Sequence, residues 1–432
     1  MSMTWIAPRP VYLVDGVRTP FLRVRREKGP FSAARLAAEA MQALLARLPL
    51  RPVEIDEVVL GCVLPAAEEV NIARVAMLRA GLDERIPALT VNRVCGSGMQ
   101  AIDTAARNIA AGAAEVALAG GVESMSHAPL VLPPDAQQAL AAFRQATTDE
   151  ERLAAAKALA AAEAASAMAC ALSDAVVGMR MGDTAEVLAR KFSIARSEQD
   201  AFALMSHERA AAAWEAGHFE DEVAALVDDA GNEHGRDTGI RADTSLQKLA
   251  ALRPVFDEQG TVTAGNSSQI TDGAAVLLLA SEAAVKKFGL QPLARIRAAT
   301  WAGLNPREMG LGPAFAIARL LREAAEVLPS LDAVDFFEIN EAFAVQVLAC
   351  LRALADADYC RDTLELADAA GGIAMERLNV DGGAIALGHP LGASGARIVL
   401  HLARVLQRHD ARRGIAALCI GGGQGGALLL ER

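Results

Sequence analysis

The sequence predicts an α/β fold made of two related, layered halves with an insertion between them. Three observations carry this. An apolar strand-like run, Ile55–Gly61, has a counterpart in the second half, Leu331–Glu338. Cys95-Gly-Ser-Gly98 opens an alanine-rich helical stretch to Ala113, followed by a strand-like run, Ala114–Ala119, ending in Gly120-Gly121. Gly392-Ala-Ser-Gly395 opens a second helix to about Gln407, followed by Ile415–Cys419 and then Gly421 to Gly423. Strands alternating with helices and punctuated by glycine are the pattern of α/β layering. Two such halves packed together bring their strand-end loops toward one shared site.

Residues from about 127 to 270 break this pattern. Ala136–Ser173 is alanine-dominated and reads as helical, interrupted by Arg144, Glu150, Arg152, Lys157 and Glu163. Those charges, with alanine's weak hydrophobicity, argue against a membrane span. A solvated helical insertion is the ordinary reading, and a surface that touches a membrane or partner the sharper one. Gly178–Glu186 and Leu252–Gly265 carry the turn chemistry of ligand-facing loops.

At 432 residues the chain suits two or three domains. Hydrophobic residues make up 53% and charged residues 22%, the balance of a soluble globular protein. A net charge of −11 argues against a nucleic-acid partner, although local cations and helix N-termini suffice for a small anion. Met1 to Pro10 show no basic region followed by an apolar one, so a cytoplasmic location is expected. The six cysteines show no CxxC pair and no metal-like spacing, so neither a disulfide framework nor a metal site is expected. Buried structural thiols are the expectation for Cys62, Cys170, Cys350 and Cys360.

Four segments carry chemistry. Val91–Gly98 places Cys95 at a strand-to-helix turn, where helix N–H groups favour a thiolate, and Gly96 and Gly98 would leave room for substrate. Gly388–Gly395 presents His389 on a Gly/Pro-rich turn; neutral imidazole takes a thiol proton, and imidazolium donates to an oxyanion. Asn340-Glu-Ala-Phe343 follows a strand at Val334–Ile339, and an amide there fixes a water or oxyanion without titrating. Cys419-Ile-Gly-Gly-Gly-Gln-Gly425 sets a second cysteine at a strand end before glycine N–H groups.

Together these segments resemble the nucleophile, NEAF, GHP and CxG motifs of the thiolase family, in that family's order and approximate spacing. The resemblance continues through GMRMGDTAE, LRPVF, TVTAGNSS and TDGAA, from Val11 to Leu430. It implies a thiolase fold layered αβαβα, with an N-terminal domain (1–126 and 271–292), a loop domain (127–270) and a C-terminal domain (293–432). It implies acyl transfer to and from CoA, in which acyl-CoA, acetyl-CoA and CoA are substrates and no prosthetic group is needed. Cys95 would be the acylated nucleophile, His389 its activator, Asn340 the holder of a water, and Cys419 the acid/base at the α-carbon. The N–H groups of Cys95 and Gly421 would form an oxyanion hole. Ser268, Phe256, Ala264, Arg241 and Met181 would line the CoA path. The family associates as homodimers, sometimes paired as homotetramers.

Some features depart from the short-chain pattern. Arg180 stands where many short-chain thiolases carry His. The insertion and Leu311–Ala318 look more like the β-subunit of the fatty-acid oxidation complex, which suggests a hydratase/dehydrogenase subunit as a partner. That subunit usually has His in place of Asn340 and lacks the CIGGGQGG ending. The alternatives are a decarboxylating ketoacyl synthase, which lacks the second cysteine, and a non-catalytic lipid-binding member, which would have lost one of the four site residues.

Overall fold

The computed structural model describes residues 4–25, 27–162 and 165–432, so Glu163 lies outside the described residues. Among the described residues the main sheet has ten strands, nine of them in one path: β1 (Trp5–Arg18), β2 (Glu57–Gly61), β3 (Ala88–Val91), β4 (Val116–Glu123), β5 (Thr271–Ser281), β6 (Ala294–Gly303), β7 (Phe336–Ile339), β8 (Arg413–Ile420) and β9 (Gln424–Glu431), with the short strand Leu22–Arg23 pairing off the path with β5. Their order is β7-β8-β9-β6-β1-β5-β4-β2-β3. The duplication is explicit in the pairings. In the first half β1/β5 and β5/β4 are antiparallel and β4/β2 parallel; in the second, β6/β9 and β9/β8 are antiparallel and β8/β7 parallel. The two sheets are continuous, because β1 also pairs antiparallel with β6.

Helices α1 (Ala33–Leu45), α2 (Ser97–Ala111), α3 (Gly312–Glu323), α4 (Ala344–Ala355) and α5 (Leu391–Arg408) complete five layers. α1 covers the outer face of the first sheet, α3 and α4 the outer face of the second, and α2 with α5 lie between them. α5 is buried on nearly every face, as a helix between two sheets must be. Its approach to α2 depends on glycine. A Cβ on Gly98 would lie 2.7 Å from the Gly392 carbonyl oxygen, and one on Gly395 would lie 2.5 Å from the Met99 nitrogen. The paired Ser-Gly motifs therefore mark the crossing of two backbones, and Gly98 serves packing instead of clearing space for substrate.

The strand expected at Val334–Ile339 is shorter, because Leu331–Ala333 forms a 3-10 turn and β7 begins at Phe336. The insertion is not one helical run. Helices Pro134–Gln145 and Asp149–Ala161 are separated by a break at which Thr148 and Glu151 form a reciprocal capping box, a strong helix-start signal inside the alanine-rich stretch. Ala165–Ser166 then pairs with Leu130–Val131, and Cys170, expected to be buried, is exposed. The turn expected at Gly178–Glu186 is mostly helix, Met181–Lys191, with Asp183 accepting from the Arg180 N–H at 2.7 Å. That helix and Arg196–Glu215 contribute Leu188 and Phe202 to the same core as α3 and α4. No helix among the described residues is long and apolar enough to cross a membrane.

A buried ionic cluster ties the inserted segment to both halves. Arg18 of β1 contacts Glu222 and Asp237, both at 2.7 Å, and His401 of α5 contacts Glu222 at 2.9 Å and Asp381 at 3.2 Å. Burial alone would push His401 down, but Glu222 and Asp381 hold it up at about 10. Its folded pKa thus lies above the ordinary value of about 6.5, so its stabilisation is complete below that pH and is lost as pH rises through about 10. Melting temperature measured from pH 7 to 10 should fall more steeply for the native chain than for His401→Gln. At pH 7 that variant should be less stable by about 3–5 kcal/mol; parallel pH curves would contradict the assignment.

Candidate active site

β3 ends at Val91 and runs through a tight turn into α2. Val94 lies in the left-handed region at φ 46°, an unfavourable conformation for a β-branched residue that costs about 1–3 kcal/mol. Side chains lock it there. Asn92 Oδ1 accepts from the Val94 N–H at 2.9 Å, and Ser97 Oγ accepts from the Arg93 N–H at 2.9 Å while donating to the Val94 carbonyl at 2.6 Å. The turn delivers Cys95, partly buried, against the N–H of Gly421. A Cβ on Gly96 would lie 2.6 Å from Ile420 Cδ1, so Gly96 also serves packing and opens no room for substrate.

The expected thiolate is absent at rest. Burial pushes the Cys95 thiol up to about 11, and the N–H groups of Gly421 and of Cys95 itself offset this only in part. Taking the sulfur out of water outweighs the helix start, so at neutral pH Cys95 is a thiol that needs a base. Cys419, on β8 and 1% exposed, is raised well above the usual thiol range, first by burial and then by the neighbouring Cys95 and Cys350. Charging one thiol of the pair opposes charging the other.

His389 enters the site as a neutral imidazole. Gly388 sits at φ 111°, and a Cβ there would collide with Thr271 Cγ2 at 2.3 Å, so only glycine admits the turn. The His389 N–H donates to the Gln269 carbonyl at 2.9 Å. Ser394 donates its hydroxyl proton to the Pro390 carbonyl at 2.9 Å, so at 2.6 Å from His389 Nδ1 it accepts, and Nδ1 carries the ring proton. Nε2 is left with its lone pair, 3.5 Å from Asn340 Nδ2. Burial, and then Arg397, lower His389 to about 4, so the ring is neutral at pH 7. Asn340 is fully buried, donates its backbone N–H to the Ala417 carbonyl at 2.9 Å, and has no partner for Oδ1 among the described residues.

The residues expected along the CoA path fall into two adjoining hollows. One, of about 160 Å³, is apolar and lined by Met181, Phe256, Ser268 and His389, together with Leu172 from the end of the insertion. The other, of about 140 Å³, is lined by Arg241, Ala264, His207 and Lys248. Gln269 lines both. Gly421 connects the first hollow to the nucleophile, since a Cβ there would touch Met181 Sδ and Val94 Cγ1, each at 3.4 Å.

Comparison with known proteins shows the family. Residues 11–283 match the family model described as thiolase, N-terminal domain, and residues 290–432 that of thiolase, C-terminal domain. The chain belongs to the thiolase family. It is 42% identical to a β-ketoadipyl-CoA thiolase of Pseudomonas aeruginosa, over 98% of this chain and 99% of that one. It is also 42% identical to an acetyl-CoA acetyltransferase of the same organism, with the same coverage. Human mitochondrial 3-ketoacyl-CoA thiolase, solved in complex with CoA, superposes with a TM-score of 0.84 at 38% identity, covering 100% of this chain and 99% of that one.

Three residues of this thiolase site escaped the sequence reading. Ser394, inside a motif read only as a helix opener, sets the histidine tautomer. Glu123, at the end of β4, accepts from the N–H groups of Val63, Leu64 and Gly392, and so binds the start of α5 to the first half. Burial raises it to about 7 despite those donors. Glu341, next to Asn340, is an anchor: it accepts from Ser206, Asn379 and the Ile385 N–H. Nothing in the local sequence marks Glu123 or Glu341 as buried, because their partners lie 38 to 269 positions away.

Proposed function

We propose that the chain is an acyl-CoA:acetyl-CoA C-acyltransferase that cleaves 3-ketoacyl-CoA with CoA, and runs the reverse condensation. The observation that carries this is the neighbouring thiol pair, Cys95 and Cys419, in a site with a neutral imidazole whose Nε2 keeps its lone pair.

In thiolysis, Cys95 Sγ bonds to the 3-keto carbon and its proton passes to His389 Nε2. The C2–C3 bond then breaks, and its electron pair becomes the enolate of acetyl-CoA. Cys419, protonated at rest, gives its proton to C2, and acetyl-CoA leaves. Incoming CoA-SH returns a proton to Cys419 and attacks the acyl carbon; Cys95 leaves as thiolate and recovers its proton from His389. The N–H groups of Cys95 and Gly421 receive the acyl-enzyme oxyanion, and Asn340 with His389 receives the enolate oxygen, Asn340 Oδ1 being free to hold a water. Losing one such donor typically costs about 10²–10³ in rate. CoA would lay its pantetheine arm along Phe256, Met181 and Ser268 and its anionic end toward Arg241, with Ala264 between.

The division into an N-terminal domain (1–126 with 271–292), a CoA-binding loop domain (127–270) and a C-terminal domain (293–432) belongs to the same reading. So does a homodimer or homotetramer. The edge strand β3 leads straight into the Cys95 turn with Leu89 49% exposed, a surface that a second copy would cover.

The test is turnover of acetoacetyl-CoA, a long-chain 3-ketoacyl-CoA and a 3-ketodicarboxylyl-CoA, each with and without CoA. CoA-dependent consumption of at least one, with acetyl-CoA as product, is expected. If all three stay intact while malonyl-CoA is consumed with release of carbon dioxide, the decarboxylating synthase replaces this reading.

A further inference from the structure

The nucleophile and its oxyanion donor sit on different halves of the molecule. Cys95 belongs to the turn between β3 and α2, and Gly421 opens the turn between β8 and β9. Among the described residues no strand pairing joins these two turns, since β3 and β8 lie far apart in the sheet order. A direct side-chain link does. Arg93, two residues before Cys95, donates from Nη1 to Gln424 Oε1 at 2.9 Å and from Nε to Gln100 Oε1 at 2.8 Å. Its guanidinium lies 4.4 Å from the centre of the Trp301 ring. Trp301 is itself fixed, donating Nε1–H to Asp103 Oδ2 at 2.9 Å.

Both ends of this link are well placed. Gln424 is the closing residue of the β8/β9 hairpin, paired with Ile420 on one side and Gly303 on the other. The three residues it closes over are Gly421, Gly422 and Gly423, and the last two lie at φ 85° and 78°. A turn of three glycines has little stiffness of its own, so its first N–H is only as well placed as its closing residue. At the other end, Arg93 adjoins the strained Val94, whose conformation persists only if its surroundings over-determine it. Gln100 and Trp301, held in turn by Thr104 and Asp103 on the same helix, supply a rigid seat for the guanidinium.

We propose that Arg93 is a positioning residue that clamps the nucleophile turn to the β8/β9 hairpin, holding the Gly421 N–H in register with Cys95 Sγ. This deepens the thiolase reading and rests on Cys95 being the nucleophile. Arg93 acts through Gly421 and needs no contact with substrate.

The clamp is tested from both ends with Arg93→Met, Gln424→Leu, the double variant, and Gln424→Glu, which keeps an acceptor for Arg93. Three measurements are made on the full chain: kcat and KM for acetoacetyl-CoA, melting temperature, and the pH dependence of Cys95 alkylation by iodoacetamide, located by peptide mapping. Arg93→Met and Gln424→Leu should each lower kcat by about 10- to 100-fold, less than outright loss of an oxyanion donor, with KM within about twofold. Both should move the alkylation midpoint to higher pH, because a displaced Gly421 N–H stabilises the thiolate less. The double variant should be no worse than the poorer single, and Gln424→Glu should stay within about threefold of the native kcat. Losses that multiply in the double variant, an unmoved alkylation midpoint, or a kcat loss explained by the unfolded fraction would each overturn the clamp. If the native chain turns over no 3-ketoacyl-CoA, the thiolase reading fails, while the alkylation midpoints still decide whether Arg93 governs Cys95.

Discussion

Cys95→Ala is expected to lower CoA-dependent cleavage of 3-ketoacyl-CoA by on the order of 10⁴-fold or more, since removing a nucleophile leaves only binding and oxyanion stabilisation. The variant should fold normally. Alanine fills less space than cysteine at a position that is only partly buried, and the turn is held by Asn92, Arg93 and Ser97, all of which remain. The loss should therefore appear in kcat, with binding of acyl-CoA preserved, because the hollow lined by Phe256, Met181 and Ser268 does not include Cys95. Steady-state kinetics with a parallel measurement of acyl-CoA binding separates the two. Retention of more than about a hundredth of native kcat would mean that another group forms the covalent bond.

Cys419→Ala is expected to uncouple two steps that the native site performs together. Acyl transfer from acetyl-CoA to Cys95 needs only the nucleophile, His389 and the N–H donors, and it should continue. Exchange of the acetyl-CoA α-protons with deuterium oxide needs a base at the α-carbon, and it should fall by about 10²–10⁴-fold, the usual worth of a positioned acid/base. Of the two thiols Cys95 charges first, and its thiolate is what raises Cys419, so removing the Cys419 thiol puts no new charge beside Cys95. Alkylation of Cys95 should thus become no slower in the variant. Proton exchange at the native rate would make Cys419 structural and require a different base.

Much of this site was legible because its chemistry is packed into short segments. Cys95 and His389 stand in glycine-bounded turns that lead into helices, Asn340 directly follows β7, and Cys419 lies near the end of β8, so four local patterns sufficed to single them out. The duplicated halves were legible for the same reason: each repeats one order of strand, helix and glycine. What escaped was set by distance in sequence. The depression expected of the Cys95 thiol weighed the helix start and left out its burial, which depends on packing against a core drawn from both halves of the chain. Gly98 read as space for substrate because α5, nearly three hundred positions later, was not yet beside it. The insertion read as helical because alanine dominates it, and that composition hides the break that the Thr148–Glu151 capping box marks. The ionic cluster around His401 draws on Arg18, Glu222, Asp237 and Asp381, four segments that no window of sequence contains together.

The central claim, that Cys95 carries the acyl group, is tested most directly by trapping the intermediate. The native chain is mixed with acetyl-CoA in the absence of a second substrate, quenched in acid to preserve thioesters, digested and mapped by mass spectrometry. An acetyl group on the peptide containing Cys95, removed by added CoA and absent in Cys95→Ala, is the result expected. An acetyl group on Cys419 or another residue, with Cys95 unmodified, would contradict the account.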